Sequence, residues 1–236
     1  SAKRLELVAA FSGEDMNSIP EAREYPRITC WTPGKPIGAP VVFETSERNH
    51  KSIRIQAASW ELEEALDQFV NKLGDKGCGA FLVNTIEEAQ KAYLYVRENH
   101  GNSLEALDLF HSRFPAARRT EIEQRVLMLY GNGDGVNRPE GKAILIATQV
   151  VEQSLDLDFD LMMSAVAPLD LLLQRSGRMH RHDRSRPDHL LHPELLVRLP
   201  AVEDSPPDYG CTGYVYSPAI LMRTQVLLHR FIHAEM

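Results

Sequence analysis

The sequence predicts an α/β fold in which a mostly parallel, doubly wound sheet carries helices on both faces. Two observations support this prediction. Apolar runs without polar alternation recur along the middle of the chain, which is typical of strands buried on both faces. Segments with helical spacing of apolar residues separate these runs, and such alternation of strands and helices produces parallel sheets. We assign the domain to residues 51–190, with irregular flanks at residues 1–50 and 191–236.

The strands and helices of this domain follow from local patterns. The predicted strands are 52–59, 78–84, 105–111, 143–148 and 160–167. The predicted helices are 60–74, 85–99, 115–131 and 169–182, with a short helix or turn at 150–156. Gly74 ends the first helix, Thr85 and Glu88 form a capping box at the second, and Pro115 suits the first turn of the third.

Both flanks are rich in proline. Residues 1–50 show no sustained periodicity, and only two short strands, at 28–31 and 39–44, are predicted there. We expect this segment to connect domains. Beyond the domain, the proline cluster at 202–210 predicts a linker, and 214–233 predicts a strand-like start followed by an amphipathic helix that begins a C-terminal extension.

Composition indicates a globular protein and excludes several classes. The 26 Lys and Arg against 33 Asp and Glu give a net charge of −7, and the hydrophobic content of 43% excludes a disordered or collagen-like chain. No apolar run approaches the ~18 residues that span a bilayer, so no membrane partner is expected. Cys30, Cys78 and Cys211 lack C-x-x-C spacing, which predicts a reducing, cytoplasmic setting without a zinc site.

A basic segment, residues 174–186, is the first candidate site. Five arginines against Asp183 give it a local charge of 5 − 1 = +4. In the predicted helix, Gln174, Arg178 and Arg181 share one face. Aligned guanidinium groups suit a polyphosphate and can stabilise charge on a transferring phosphoryl group. A solvated basic helix face is the alternative.

The second candidate site is the polar turn that follows strand 143–148. Its polar residues are Thr148, Gln149, Glu152, Gln153, Ser154 and Asp156. Open α/β sheets bind ligands at the carboxyl ends of their strands, where hydroxyl and amide groups can hold phosphates or sugars and a carboxylate can accept from a ribose hydroxyl. A capped turn without a ligand is the alternative. The histidines at 180–192 lie beside arginines that would repel a cation, so no metal site is predicted.

Together the two blocks have a specific resemblance. ATQVVEQSLDLDFD (147–160) followed by DLLLQRSGRMHRH (170–182) resembles motifs V and VI of the CRISPR-associated helicase–nuclease of type I systems, a superfamily-two DExH-type helicase. FLVNTIEEAQKAY (81–93) resembles motif IV of that family, and LFHSRFPAARRTEIEQ (109–124) its next block. The resemblance implies a RecA-like fold, the second of two such domains, with ATP between them and single-stranded DNA across their tops.

The resemblance also implies roles for individual residues. Arg178 would be an arginine finger, Gln174 would lie near the γ-phosphate and attacking water, and Arg181 would be a second phosphate contact. The residues expected to bind the nucleotide are Asp156, Ser154, Gln153 and Arg175, with Asp156 beside the ribose. Those expected along the DNA backbone are Asn84, Thr85, Ser112, Arg113, Thr148 and Gln149, with Arg118 and Arg119 as further candidates.

The sequence contains neither a G-x-x-x-x-G-K-[ST] motif nor a DExH box. The resemblance therefore implies that ATP with Mg²⁺ is held mainly by a first RecA-like domain, and that this chain alone is not an ATPase. The implied partners are single-stranded DNA, that first domain, an HD nuclease domain and the RNA-guided surveillance complex. Two alternatives remain: another superfamily-two RNA or DNA helicase or restriction translocase, and a nucleic-acid-binding module that does not hydrolyse ATP.

Overall fold

The structure, a computed structural model, describes residues 4–20, 27–44, 52–133, 135–152, 155–201 and 206–233. The chain divides into two units, Ser1–Ser52 and Ile53–Met236. The first unit contains helix α1 (Arg4–Ser12), a 3-10 turn (Met16–Ser18) and the antiparallel strands β1 (Arg27–Ile28) and β2 (Val41–Val42). Strand β2 lies within the predicted strand 39–44, whereas β1 overlaps the predicted strand 28–31 only at Ile28.

Six parallel strands form the sheet of the second unit. They are β3 (Arg54–Ala58), β4 (Gly77–Leu82), β5 (Ala106–Phe110), β6 (Lys142–Ala147), β7 (Leu161–Ala165) and β8 (Glu194–Arg198). Their order across the sheet is β3-β8-β7-β4-β6-β5. Strands β4, β6 and β7 are buried along their whole length, which explains their apolar runs without alternation. The predicted fold class is confirmed.

Helices cover both faces of this sheet. They are α2 (Leu62–Leu73), α3 (Ile86–His100), α4 (Ala116–Tyr130), α5 (Leu169–Ser176), α6 (Thr212–Val215) and α7 (Pro218–His233). On one face, Phe69 of α2 and Val96 of α3 belong to the same core as Phe81 of β4. On the other, residues of α4, α5 and α7 form a core with Leu145 of β6. Successive side chains of a strand alternate between these two cores, as its pleat requires.

Three predictions of local structure were wrong. Strand β8 lies between β3 and β7, so the sheet extends past the predicted domain end at residue 190. Its apolar residues are only Leu195, Leu196 and Val197, between the charged Glu194 and Arg198, so it shows neither a long apolar run nor an alternating pattern. Helix α5 ends at Ser176 instead of 182, and a short helix, α6, forms where a strand-like start was predicted. Within the predicted linker, residues 202–205 lie outside the described residues.

Candidate functional site

The carboxyl ends of β4 and β6 lie side by side because these strands are adjacent and parallel. Asn84 follows β4 and Thr148 follows β6. Val83 N donates to Ala147 O at 2.9 Å, which extends the ladder to the point where both chains leave the sheet. Residues that are more than sixty positions apart in sequence therefore meet at the edge where open α/β sheets bind ligands.

Arg175 lies behind this edge and is fully buried. Its Nε donates to Glu152 Oε1 at 2.8 Å, its Nη1 to Ser164 Oγ at 2.7 Å, and its Nη2 to Asn84 Oδ1 at 3.0 Å. The expected contact of Arg175 with the nucleotide therefore needs correction, because its donors are engaged inside the protein. A buried guanidinium with a carboxylate partner instead joins α5, β7 and the two strand ends.

Two of the residues expected on DNA also have internal partners. The amide of Asn84 is buried, and its Nδ2 donates to Val166 O at 2.8 Å and to Thr212 Oγ1 at 3.2 Å. Gln149 Nε2 donates to Asn84 O at 3.1 Å and to Tyr216 Oη at 3.3 Å. The side chain of Asn84 is thus a structural bridge to α6, which corrects its expected exposure to DNA.

Thr85 has a local structural role. It is the N-cap of α3, where its Oγ1 accepts from Glu88 N at 3.2 Å. This is the first half of the predicted capping box, which satisfies one of the free N–H groups at the helix start. The cap uses the hydroxyl only as an acceptor, so its O–H can still donate to another group.

Three of the expected DNA contacts line one depression of about 400 Å³. Its residues are Phe110, Ser112, Arg119, Glu123, Thr148, Gln149, Val150 and Leu155. We call it the strand-end depression. Ser112 and Arg119 are exposed on the β5–α4 side, as is the neighbouring Arg113, whereas Thr148 is buried at the floor. Small polar groups beside an exposed guanidinium are the groups that bind a phosphate backbone without reading its sequence.

The predicted helical stripe of Gln174, Arg178 and Arg181 does not form. Helix α5 ends at Ser176, and the chain then pairs with the segment before β7: Phe159 N donates to Arg178 O at 2.9 Å and His180 N to Phe159 O at 3.1 Å. These backbone hydrogen bonds to Phe159 form in place of those that a further turn of α5 would need. Gln174 is exposed on the last turn of α5, while Arg178 and Arg181 lie in the loop beyond it.

Arg178 and Arg181 nevertheless lie near Asp156, which was expected to contact the ribose. Arg178 donates to two backbone carbonyls, Leu155 O and, at 3.0 Å, Glu152 O. Burial, followed by the nearby charge of Arg181, lowers the pKa of Arg178 from its ordinary value. Arg181 Nε lies 2.6 Å from Asp156 Oδ1, and both side chains are about half exposed. Gln153 and Ser154, also expected on the nucleotide, lie outside the described residues.

The remaining arginines of the basic segment belong to a buried ion cluster, defined as Arg138, Asp158, Asp160, Arg184 and Arg186. Arg186 Nη2 and Arg184 Nε lie 2.9 and 2.7 Å from Asp158 Oδ2. Arg138 Nη2 lies 2.8 Å from Asp160 Oδ2, and both aspartates are almost fully buried. Arg184 and Arg186 thus have carboxylate partners from another part of the sequence, although the two aspartates are shared among three arginines.

Sequence reasoning missed this cluster, although a signal for it exists. In LDLDFD (155–160) aspartates alternate with large apolar residues, and Asp158 and Asp160 are nevertheless buried. Buried carboxylates need charged partners, and the nearest surplus of cations along the chain is the basic segment. The local charge of +4 therefore overstates the positive charge presented to a ligand.

The structure also bears on two other kinds of site, a nucleophilic cysteine and a metal site. Burial raises the pKa of the Cys78 thiol to about 12, so it stays protonated at neutral pH and is a poor nucleophile. In the described part of the chain, no group of three or more His, Cys, Asp or Glu residues is arranged to hold a metal ion. The helices within the same described ranges are all too short or too polar to cross a membrane.

Comparison with known proteins gives one consistent family. The family described as "CRISPR-associated nuclease/helicase Cas3, C-terminal" matches residues 75–184. The CRISPR-associated endonuclease/helicase Cas3 of Thermus thermophilus is 50% identical over 119 residues, which are 49% of this chain and 12% of the relative. The Cas3 of Streptococcus thermophilus is 37% identical over 205 residues, covering 86% of this chain and 21% of the relative. The chain thus spans less than a quarter of the length of these relatives.

Solved structures agree. The crystal structure of T. fusca Cas3 with AMPPNP has a TM-score of 0.71 and 36% identity, over 77% of this chain and 22% of that one. A chain from a CRISPR RNA-guided surveillance complex before nicking has a TM-score of 0.65 and 34% identity, over 84% of this chain and 24% of that one. The segment that the family model matches, residues 75–184, contains β4 to β7, the polar turn after β6 and the basic segment up to Arg184.

Proposed function

The chain is similar to the C-terminal helicase domain of the CRISPR-associated nuclease/helicase Cas3, and from this premise we propose that it is the second RecA-like domain of an ATP-dependent DNA translocase. The enzyme moves along single-stranded DNA and delivers it to a nuclease domain during CRISPR type I interference. The first RecA-like domain and the HD nuclease domain are its covalent or assembled partners, and it acts in the cytoplasm.

One observation carries the ATPase part of the proposal. Among the described residues, no carboxylate lies within ion-pair distance of Arg178, whose guanidinium is held only by the carbonyls of Glu152 and Leu155. Its positive charge thus remains available to an anion, unlike the charges of Arg184 and Arg186. Backbone carbonyls also orient the guanidinium without neutralising it. This is the arrangement that an arginine finger needs, because it must stabilise charge that develops on a transferring phosphoryl group.

The other residues near Arg178 complete the nucleotide side. Arg181 forms an exposed ion pair with Asp156. Because exposed ion pairs contribute little free energy, a phosphate can take the place of Asp156 beside Arg181 at small cost. Asp156 then accepts from a ribose hydroxyl, and Gln174, Gln153 and Ser154 supply polar contacts. Mg²⁺ and most of the ATP are bound by the first RecA-like domain. When bound there, the ion would neutralise phosphate charge, while Arg178 and Arg181 of this chain supply guanidinium groups.

The strand-end depression is proposed as the DNA side of the domain. Ser112, Arg113 and Arg119 supply exposed contacts to the phosphate backbone, while Thr148 and Gln149 form the floor. Such contacts bind any sequence, as a translocase requires. The similarity to a chain of an RNA-guided surveillance complex supports that complex as the recruiting partner.

The decisive experiment joins this chain to the upstream part of the S. thermophilus Cas3, giving what we call the joined enzyme. We expect Arg178→Ala to lower DNA-stimulated ATP hydrolysis by ~10³-fold or more while ATP still binds, because only the transition-state contact is removed. Arg97→Ala, at an exposed position on α3, is the matched control and should have the wild-type rate.

Three outcomes would contradict the proposal. An unchanged rate in Arg178→Ala would show that this arginine is a surface feature. Magnesium-dependent ATP turnover by the isolated chain would show that no partner domain is needed. A strong preference of the joined enzyme for RNA would favour another superfamily-two helicase.

A further inference from the structure

A continuous series of hydrogen bonds connects the strand-end depression with Arg178. Gln149, at the floor of the depression, donates from Nε2 to Asn84 O at 3.1 Å. Asn84 Oδ1 accepts from Arg175 Nη2 at 3.0 Å, and Arg175 Nε donates to Glu152 Oε1 at 2.8 Å. Glu152 O accepts from Arg178 Nη2 at 3.0 Å. We call these five residues the polar series.

The centre of the polar series is its strongest part. Arg175 is fully buried and the side chain of Glu152 is only 8% exposed. Hydrogen bonds between charged groups are roughly twice as strong as neutral ones, and water competes little at a buried pair. The pair therefore holds its geometry, and displacement of one partner is transmitted to the other.

Glu152 connects the buried pair with Arg178. Its carboxylate accepts from Arg175, while its backbone carbonyl accepts from Arg178. A shift of the side chain alters the position of the main chain that orients the arginine finger. At the opposite end, Asn84 uses its side chain for Arg175 and its carbonyl for Gln149, so it relays position in the same way.

From this arrangement we propose that Arg175 and Glu152 are positioning residues that couple DNA occupancy of the strand-end depression to the placement of Arg178. Neither residue touches DNA or ATP. DNA bound at Gln149 moves Asn84, the buried pair follows, and the carbonyl of Glu152 sets Arg178 for hydrolysis. The inference rests on the proposed function, since it needs DNA at one end and ATP at the other.

The test measures ATP hydrolysis by the joined enzyme with and without single-stranded DNA, over a range of DNA concentrations. In Glu152→Ala we expect the stimulation by saturating DNA to fall by about 5- to 150-fold, the usual range of coupling between sites. The DNA concentration for half-stimulation should stay at its wild-type value, because the residues of the strand-end depression are unchanged. A merely structural role would lower the stimulation and raise the DNA concentration for half-stimulation together.

Two further variants keep the test decisive if Glu152→Ala fails to fold. Glu152→Asp keeps the countercharge of Arg175 but is too short to hold its Nε, whereas Glu152→Gln keeps an oxygen at the position of Oε1 but loses that countercharge. Urea unfolding of each variant therefore accompanies the ATPase measurement, and only folded variants are compared. The expected result is low stimulation in Glu152→Asp and substantial rescue in Glu152→Gln. Ser164→Ala is the matched control, because it removes a bond of Arg175 outside the polar series and should leave stimulation intact.

The outcomes separate this inference from the proposed function. Full stimulation in folded Glu152→Ala, or equal stimulation in Glu152→Asp and Glu152→Gln, would overturn the coupling role. If the Glu152 variants keep full stimulation while Arg178→Ala abolishes hydrolysis in the same preparation, the proposed function stands and only the coupling role fails. If Arg178→Ala has no effect, both fail.

Discussion

Arg186 and Asp158 form a buried ion pair in which Nη2 lies 2.9 Å from Oδ2 and neither side chain is more than 5% exposed. The pair joins the loop after α5 to the segment before β7. Arg181 N donates to the same aspartate, at Oδ1, at 2.9 Å. The loop that carries the candidate arginine finger is therefore held in place by the carboxylate of Asp158, which is fully buried.

The first prediction concerns this anchor. Asp158→Asn should lower the free energy of unfolding by about 3–5 kcal/mol, because it removes one of the two carboxylates that three guanidinium groups share. Urea unfolding of the isolated chain measures the change. Asp156→Asn is the matched control: its pairs with Arg181 and His182 are exposed, so the loss should stay within about 1 kcal/mol. Equal losses in the two variants would contradict a special role of the buried ion cluster.

The second prediction separates the two roles considered for Thr85. Thr85→Ala should cost about 1 kcal/mol of stability, because the N-cap bond to Glu88 N is lost, while Thr85→Ser should keep it. Thermal unfolding of the isolated chain reports the difference. If Thr85→Ala instead weakened DNA binding by the joined enzyme at unchanged stability, the hydroxyl would belong to the DNA contact and not to the helix cap.

The third prediction concerns pH. Burial lowers the pKa of His111 and of His180 below the ordinary 6.5, and Arg113 and Arg186 respectively act in the same direction. The unfolded chain then binds protons at a higher pH than the folded one, so stability is full above about pH 6.5 and falls as the pH is lowered through that value. Urea unfolding at about pH 7.5 and about pH 5.5 measures the loss.

A variant isolates the histidine contribution from that of the carboxylates. His111→Gln should show a smaller decrease of stability between these two pH values than the wild type, because one proton-binding group has been removed from the unfolded state. His192→Gln, at an exposed position, is the control and should keep the wild-type decrease. A wild-type decrease in His111→Gln would show that His111 does not contribute.

The fourth prediction concerns the strand-end depression. Arg119→Ala should weaken binding of single-stranded DNA by the joined enzyme uniformly across sequences. It should also reduce the slope of log affinity against log salt by about 0.7, the value for one phosphate contact on a single strand. Fluorescence anisotropy at several salt concentrations measures both. Arg118→Ala is the control, because Arg118 is exposed but paired with Glu121 and lies outside the depression. Equal slopes in both variants would place the DNA elsewhere.

Local patterns in the sequence determined the fold class and most elements. The burial of β4 and β6 on both faces appears directly as apolar runs, and the cap of α3 is visible as Thr85 and Glu88 in sequence. The order of blocks at 147–160 and 170–182 was enough for the resemblance that the comparisons support. These features depend on residues that are close together in the sequence, so a local pattern is enough to predict them. Strand β8 was missed because its three apolar residues, between Glu194 and Arg198, form neither a long apolar run nor an alternating pattern.

Only the tertiary structure decided which of the five arginines remain available. Arg175 pairs with Glu152, and Arg184 and Arg186 pair with Asp158. Among the described residues, Arg178 bonds to backbone carbonyls and to no carboxylate. These partners lie more than twenty positions away in sequence, and their contacts exist only because α5 ends at Ser176 and its loop pairs with Phe159. A charge counted along the chain cannot include such partners, since neutralisation depends on distance in space and on burial.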